Sequence, residues 1–210
     1  MTKQQPQLKA VLFDYGGVLA DEGFHHGLVA LAKEQGLNAA AMLNEGKKAV
    51  YDSGFVLGHG SAADFWTLMR ERTGLAGEDQ VLTQRILSGF VLRSWMIEGV
   101  RKCQQHGFIT GILSDQTHWL DDLNERDHFY ASFDIVFNSY YHGKGKQDPS
   151  LLIEVASKLE LSPGQILFVD DDAGNINRAQ SVGMQVLLYV DKETFIQELK
   201  RLTGVHIPPI

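Results

Sequence analysis

Five short apolar runs constrain this chain most: AVLF at 10–13, FITGIL at 108–113, FDIVF at 133–137, ILFV at 166–169 and QVLLY at 185–189. Each has strand length, is rich in β-branched or aromatic residues, and is apolar on both faces, as strands covered by helices on both sides must be. Helical patterns separate the later runs. In DPSLLIEVASKLEL, Asp148 caps, Pro149 suits the first turn, and Leu151, Leu152, Val155, Ala156 and Leu159 form one apolar stripe. Strand–helix alternation of this kind predicts an α/β fold built on a doubly wound parallel sheet.

The interval 21–93 reads differently, with helical patterns and little strand signal. SAADFWTLMRERTG pairs Ser61 with Asp64 as a capping box and places Ala62, Phe65, Trp66 and Met69 on one face, a stripe that suits core packing. The expected organisation is an α/β core of residues 1–20 and 94–210 with 21–93 inserted as a helical cap after the first strand. No Pro/Ser-rich linker flanks the insert, which argues against an independent domain.

Composition narrows the function classes. A formal charge of −7 argues against nucleic acid. No run approaches a membrane span, and the polar opening MTKQQPQ has no signal-peptide core and reads as a short frayed tail. With one cysteine, Cys103, no internal disulfide can form. The expected setting is cytoplasmic, without nucleic-acid or membrane partners, and Cys103 is expected to be a passive thiol.

Ligands of open parallel sheets bind beyond the carboxyl ends of the strands. There the first run ends in Asp14, the second in Ser114 and the fourth in Asp170-Asp171-Asp172, while Lys146 lies in the loop after the third. One such aspartate alone is usually a turn residue or a helix cap. Carboxylates meeting at one edge either have raised pKa values or hold a cation, and hard oxygen ligands favour Mg²⁺.

FDYGGVL, ILSD, GKGKQDP and FVDDDAGNI resemble, in order and spacing, the four motifs of the haloacid dehalogenase superfamily of hydrolases, whose core is Rossmann-like. The branch it looks most like carries a helical cap and includes bacterial sugar-phosphate phosphatases. The resemblance implies a phosphatase acting on a small phosphorylated metabolite, with Asp14 as nucleophile forming an aspartyl-phosphate. Ser114 and Lys146 would hold the phosphoryl group, with Asp115 and the turn of Gly16 and Gly17 beside them. Mg²⁺ would sit on Asp14, the Gly16 carbonyl, Asp170 and Asp171. Asn175 would position by a hydrogen bond, or serve only as a helix-start residue. The same resemblance leaves a metal-free 2-haloacid dehalogenase as an alternative, although Tyr15 stands one residue after the nucleophile rather than two. A third reading is a phosphate-ligand-binding module with impaired catalysis.

Three departures from the family pattern stand out. Most of its phosphatases carry an aspartate two residues after the nucleophile as proton donor; here that position is Gly16, and losing a general acid costs about 10²–10⁴-fold. Substrates with good leaving groups, such as acyl, aryl or anomeric phosphates, and a steep dependence on leaving-group pKa are therefore expected. Asp21, Glu22, His25 and His26 follow closely and can supply a substitute acid, or are simply solvated residues at a helix start. Asp115 stands where asparagine is frequent, and Gln147 replaces a proline, which loosens the loop of Lys146. Phe55, His59, Trp66 and Arg70 either face the site or pack and meet solvent.

Overall fold

The computed structural model describes residues 6–207; most of the polar opening stretch, residues 1–5, lies outside them. Five strands, β1 (Ala10–Phe13), β2 (Ile109–Ser114), β3 (Ile135–Asn138), β4 (Ile166–Asp170) and β5 (Gln185–Leu188), form one parallel sheet in the order β3-β2-β1-β4-β5. Each of the five apolar runs supplies one strand. β3 starts two residues later than its run, because the Asp134 carboxylate turns back to accept the Thr110 N–H at 2.7 Å.

Among the described residues ten α-helices accompany the sheet: α1 (Gly23–Glu34), α2 (Ala39–Asp52), α3 (Ala62–Thr73), α4 (Asp79–Leu87), α5 (Ser94–Gln105), α6 (Trp119–Asp127), α7 (Ser139–His142), α8 (Pro149–Lys158), α9 (Ala173–Ser181) and α10 (Lys192–Thr203). The pleat sends alternate residues of each strand to opposite faces. Val11, Phe13, Leu167 and Val169 join a cluster with Met96 and Val100 of α5 and Phe195 and Leu199 of α10. Ala10, Leu12, Ile166 and Phe168 join another with Leu151, Leu152 and Val155 of α8 and Ala179 of α9. Both faces are therefore covered, which is why the strands are apolar throughout. Cys103 is fully buried on α5, where burial pushes its thiol up to about 12.

Helices α1–α4 all lie between β1 and β2 in the chain. The chain leaves the sheet and returns to it side by side: the Asp21 N–H donates to the Val91 carbonyl at 3.0 Å and the Arg93 N–H to Leu19 at 2.9 Å. Leu28, Phe55, Phe65, Trp66 and Met69 of this stretch belong to the same apolar cluster as the α5 face of the sheet. Ser61 and Asp64 form the expected capping box, and Asp148 caps α8 ahead of Pro149. No described helix is long and apolar enough to cross a membrane.

Candidate active site

Register brings the acids together. Phe13 of β1 pairs with Val169 of β4, so the next residues, Asp14 and Asp170, emerge side by side at the carboxyl edge of the sheet. Lys146 spans them, its Nζ 2.8 Å from Asp14 Oδ2 and 2.7 Å from Asp170 Oδ2, with all three side chains largely or wholly buried. Ser114, at the end of β2, donates to Asp14 Oδ1 at 2.5 Å, and the Tyr15 N–H reaches that oxygen at 2.7 Å. Burial pushes the Asp14 carboxyl up, against the pull of Lys146 and Ser114. Burial alone would lower the Lys146 ammonium, but Asp14, Asp170 and Asp115 carry it above its ordinary value.

The loop of Lys146 is pinned without the proline. Its N–H donates to both Asp115 oxygens, at 2.8 and 3.1 Å, and its carbonyl accepts from Arg178 Nε at 2.8 Å. Asp115 therefore uses its carboxylate to hold Lys146, and also accepts from the Tyr51 hydroxyl of α2 at 2.8 Å. Its charge is directed into that loop instead of standing free beside Asp14. Asn175 has its N–H capped by Asp172 at 2.8 Å, and its Nδ2 donates to both oxygens of Asp170 at 3.1 Å.

Asp14, Asp170 and Asp171 each offer a carboxylate oxygen, and these oxygens lie within 4.8 Å of one another. Burial pushes Asp170 and Asp171 up to about 6, helped by the neighbouring carboxylate in each case. A cluster of hard oxygens that resists ionising is what a divalent cation relieves. The Asp171 carboxylate has its place only because residue 17 is glycine: Gly17 has φ +79°, and a Cβ there would lie 2.1 Å from Asp171 Oδ2. The donor set fits Mg²⁺. Asp170 is bonded on both oxygens by Lys146, Asn175 and the Asp172 N–H, and Asp14 on both by Ser114, the Tyr15 N–H and Lys146, which leaves the exposed Asp171 with the freer oxygens.

These groups open into a cavity of about 380 Å³ whose walls include Phe24, Val50, Val56, Phe90 and Trp119 alongside Glu22, His25, Lys47 and Gln116. Of the four residues considered as substitute acids, Glu22 and His25 line it. Burial pushes the Glu22 carboxyl up and lowers His25 to about 4. Asp21 is instead bound by Arg93 at 3.1 Å, and His26 is exposed. Phe55 and Trp66 are core residues, Arg70 pairs with Asp79, and His59 lies away from the cavity. The Tyr15 side chain is wholly buried, stacked on Phe129 at 4.8 Å.

Tyr51, Arg93 and Arg178 shape the site and carried no motif in the sequence. Arg93 donates to the Gly17 and Val18 carbonyls at 2.6 and 2.9 Å and ties the turn after β1 to the return of the chain.

The fold and this edge are those of a Rossmann-like hydrolase. The chain belongs to the haloacid dehalogenase-like hydrolases, whose family model matches residues 8–183. It is 26% identical to bifunctional epoxide hydrolase 2 of Sus scrofa, over 95% of this chain and 40% of that protein, so it spans less than half the length of that relative. A sesquiterpene phosphatase of Aspergillus oryzae is 25% identical over 93% of this chain and 97% of its own. Among solved structures, a family enzyme of Bacteroides thetaiotaomicron in complex with magnesium and inorganic phosphate superposes with a TM-score of 0.68 at 20% identity, covering 87% of this chain and 94% of that one. That likeness shows a common fold.

Proposed function

We propose that this hydrolase is a Mg²⁺-dependent phosphatase that removes phosphate from a small phosphorylated metabolite through an aspartyl-phosphate on Asp14. The observation that carries the reading is the Asp14 carboxylate, held at the floor of a cavity by Ser114 and an ammonium group. A carboxylate is a poor nucleophile toward a phosphate dianion unless cations screen the approach. Lys146 supplies one such charge, and Mg²⁺, which Asp14, Asp170, Asp171 and the Gly16 carbonyl would hold, would supply the other. Ser114 holds Asp14 Oδ1, and it turns its hydroxyl to the transferring phosphoryl group as Oδ1 is drawn off. The glycine turn at 16–17 lets backbone amides approach the same anion. Asn175 positions Asp170.

Residues 21–93 act as a cap over this edge, since Glu22, Phe24, Lys47 and Tyr51 reach the cavity from them. The cavity's apolar wall suits an organic part with hydrocarbon faces, so isoprenoid and aryl phosphates belong in a substrate panel beside sugar phosphates. The test is phosphate release across that panel, with Mg²⁺ and with a chelator. The expected result is turnover that needs Mg²⁺ and falls at least about 10³-fold in Asp14→Asn. Asp14-independent turnover, or halide release from 2-chloropropionate without metal, sinks it.

A further inference from the structure

The side-chain position that Gly16 leaves vacant is filled from another element. A Cβ built on Gly16 meets Glu22 Oε1 first, at 3.3 Å, with Phe90 Cε1 at 3.5 Å and Gln116 Nε2 at 3.6 Å. An aspartate's own carboxyl oxygens lie about 2.4 Å from its Cβ. Glu22 Oε1 therefore stands within about 1 Å of the shell that an aspartate at 16 would reach. Gly16, unlike Gly17, has no left-handed φ, so its backbone admits a side chain, and the nearest obstacle to one is the Glu22 carboxylate.

We propose that Glu22 is the acid–base residue of this enzyme, projecting its carboxyl group from the start of α1 into the place where an aspartate at position 16 would act. The assignment rests on the phosphatase reading and deepens it. Glu22 Oε2 accepts the His25 N–H at 2.8 Å and lies 3.2 Å from His25 Nδ1. Oε1 has no hydrogen-bond partner among the described residues and faces the cavity that Asp14 and Lys146 line. One oxygen is thus used for anchoring and the other is available to substrate. The anchor itself is rigid: a Cβ on Gly23 would lie 2.4 Å from the Phe90 backbone nitrogen, so the start of α1 seats directly on the chain beside it. Asp21 is held by Arg93, and His25 acts through Glu22 as a positioning residue.

In the first step an Asp14 oxygen bonds to phosphorus, the bond from phosphorus to the ester oxygen breaks, and that oxygen takes the Glu22 proton as the alcohol leaves. In the second, the Glu22 carboxylate takes a proton from water as the water oxygen bonds to phosphorus. The bond between Asp14 and phosphorus breaks, phosphate departs and Glu22 is again protonated. With a carboxyl group in place, the steep leaving-group dependence expected from the Gly16 vacancy becomes a shallow one.

The experiment measures kcat and KM for the Mg²⁺-loaded enzyme over alkyl and aryl phosphates of graded leaving-group pKa. Glu22→Gln keeps an oxygen for the His25 N–H and should fold, which a melting curve checks. It should lose about 10²–10⁴-fold in kcat on alkyl phosphates and far less on nitrophenyl phosphate, so the dependence becomes steep. Gly16→Asp added to Glu22→Ala should restore alkyl-phosphate turnover and flatten it again. A parallel fall on every substrate, or no fall, overturns the assignment while leaving Asp14-dependent phosphatase activity standing. Failure of the wild type to release phosphate in any Asp14-dependent way overturns the phosphatase reading, and this one with it.

Discussion

Lys146 is the residue on which the edge depends most. It is 3% exposed and neutralises two buried carboxylates at once. Removing one partner of a buried pair leaves an uncompensated charge, at a cost of about 3–5 kcal/mol. Lys146→Met should therefore shift the denaturation midpoint by a large amount as well as abolish turnover. In an Asp14→Asn background the same change should cost less, because one of the stranded charges is gone, and a double-mutant cycle of denaturation curves measures that coupling. At this scale much was legible beforehand: Asp14, Ser114, Lys146 and Asp170 were readable because each ends a strand or follows one. Glu22 was readable only as one of four acids and histidines in a row. Nothing in the order Asp21, Glu22, His25, His26 says which side chain returns to Gly16, since that depends on the path between β1 and α1. Tyr51 was invisible for the same reason, being 64 residues from the Asp115 it bonds.

Among the elements, the insert packs through glycines. A Cβ on Gly27 of α1 would lie 2.7 Å from the Ile86 Cα of α4, whereas one on Gly46 of α2 would meet the Leu28 Cδ1 tip of α1 at 2.3 Å. A backbone atom can give way only if the whole helix moves, but a leucine tip can change rotamer. Gly27→Ala should thus destabilise by about 1–3 kcal/mol despite alanine's better helix propensity. Gly46→Ala should cost less, and urea unfolding of the two variants decides the order. Helix existence was plain from periodicity, and the capping box at Ser61 was read residue by residue. Which helices cross, and how closely, has no local signal; a glycine inside a helical pattern marks a close approach without naming the partner.

For the whole molecule, the acidic edge links folding to metal and pH. Asp170 and Asp171 hold their protons up to about 6 in the folded chain, above the ordinary aspartate value of about 3.9. Between those values the folded state binds more protons than the unfolded one, so without metal these groups make stability fall as pH rises through that window. Metal binds the ionised form. Excess Mg²⁺ should therefore raise the melting temperature clearly at about pH 7.5 and little at about pH 5, and Asp171→Asn should reduce the shift at the higher pH. The order of apolar runs determined the parallel sheet, its covering helices and the edge at which chemistry gathers, because burial on both faces and strand-end turns are encoded within a few consecutive residues. Tertiary structure alone decided that Asp115 would pin Lys146, that Arg93 would clasp the turn after β1, and that a glutamate would stand over Gly16. Those contacts join residues far apart in the chain or across a bend, and only the packing of helices against one sheet sets their distances.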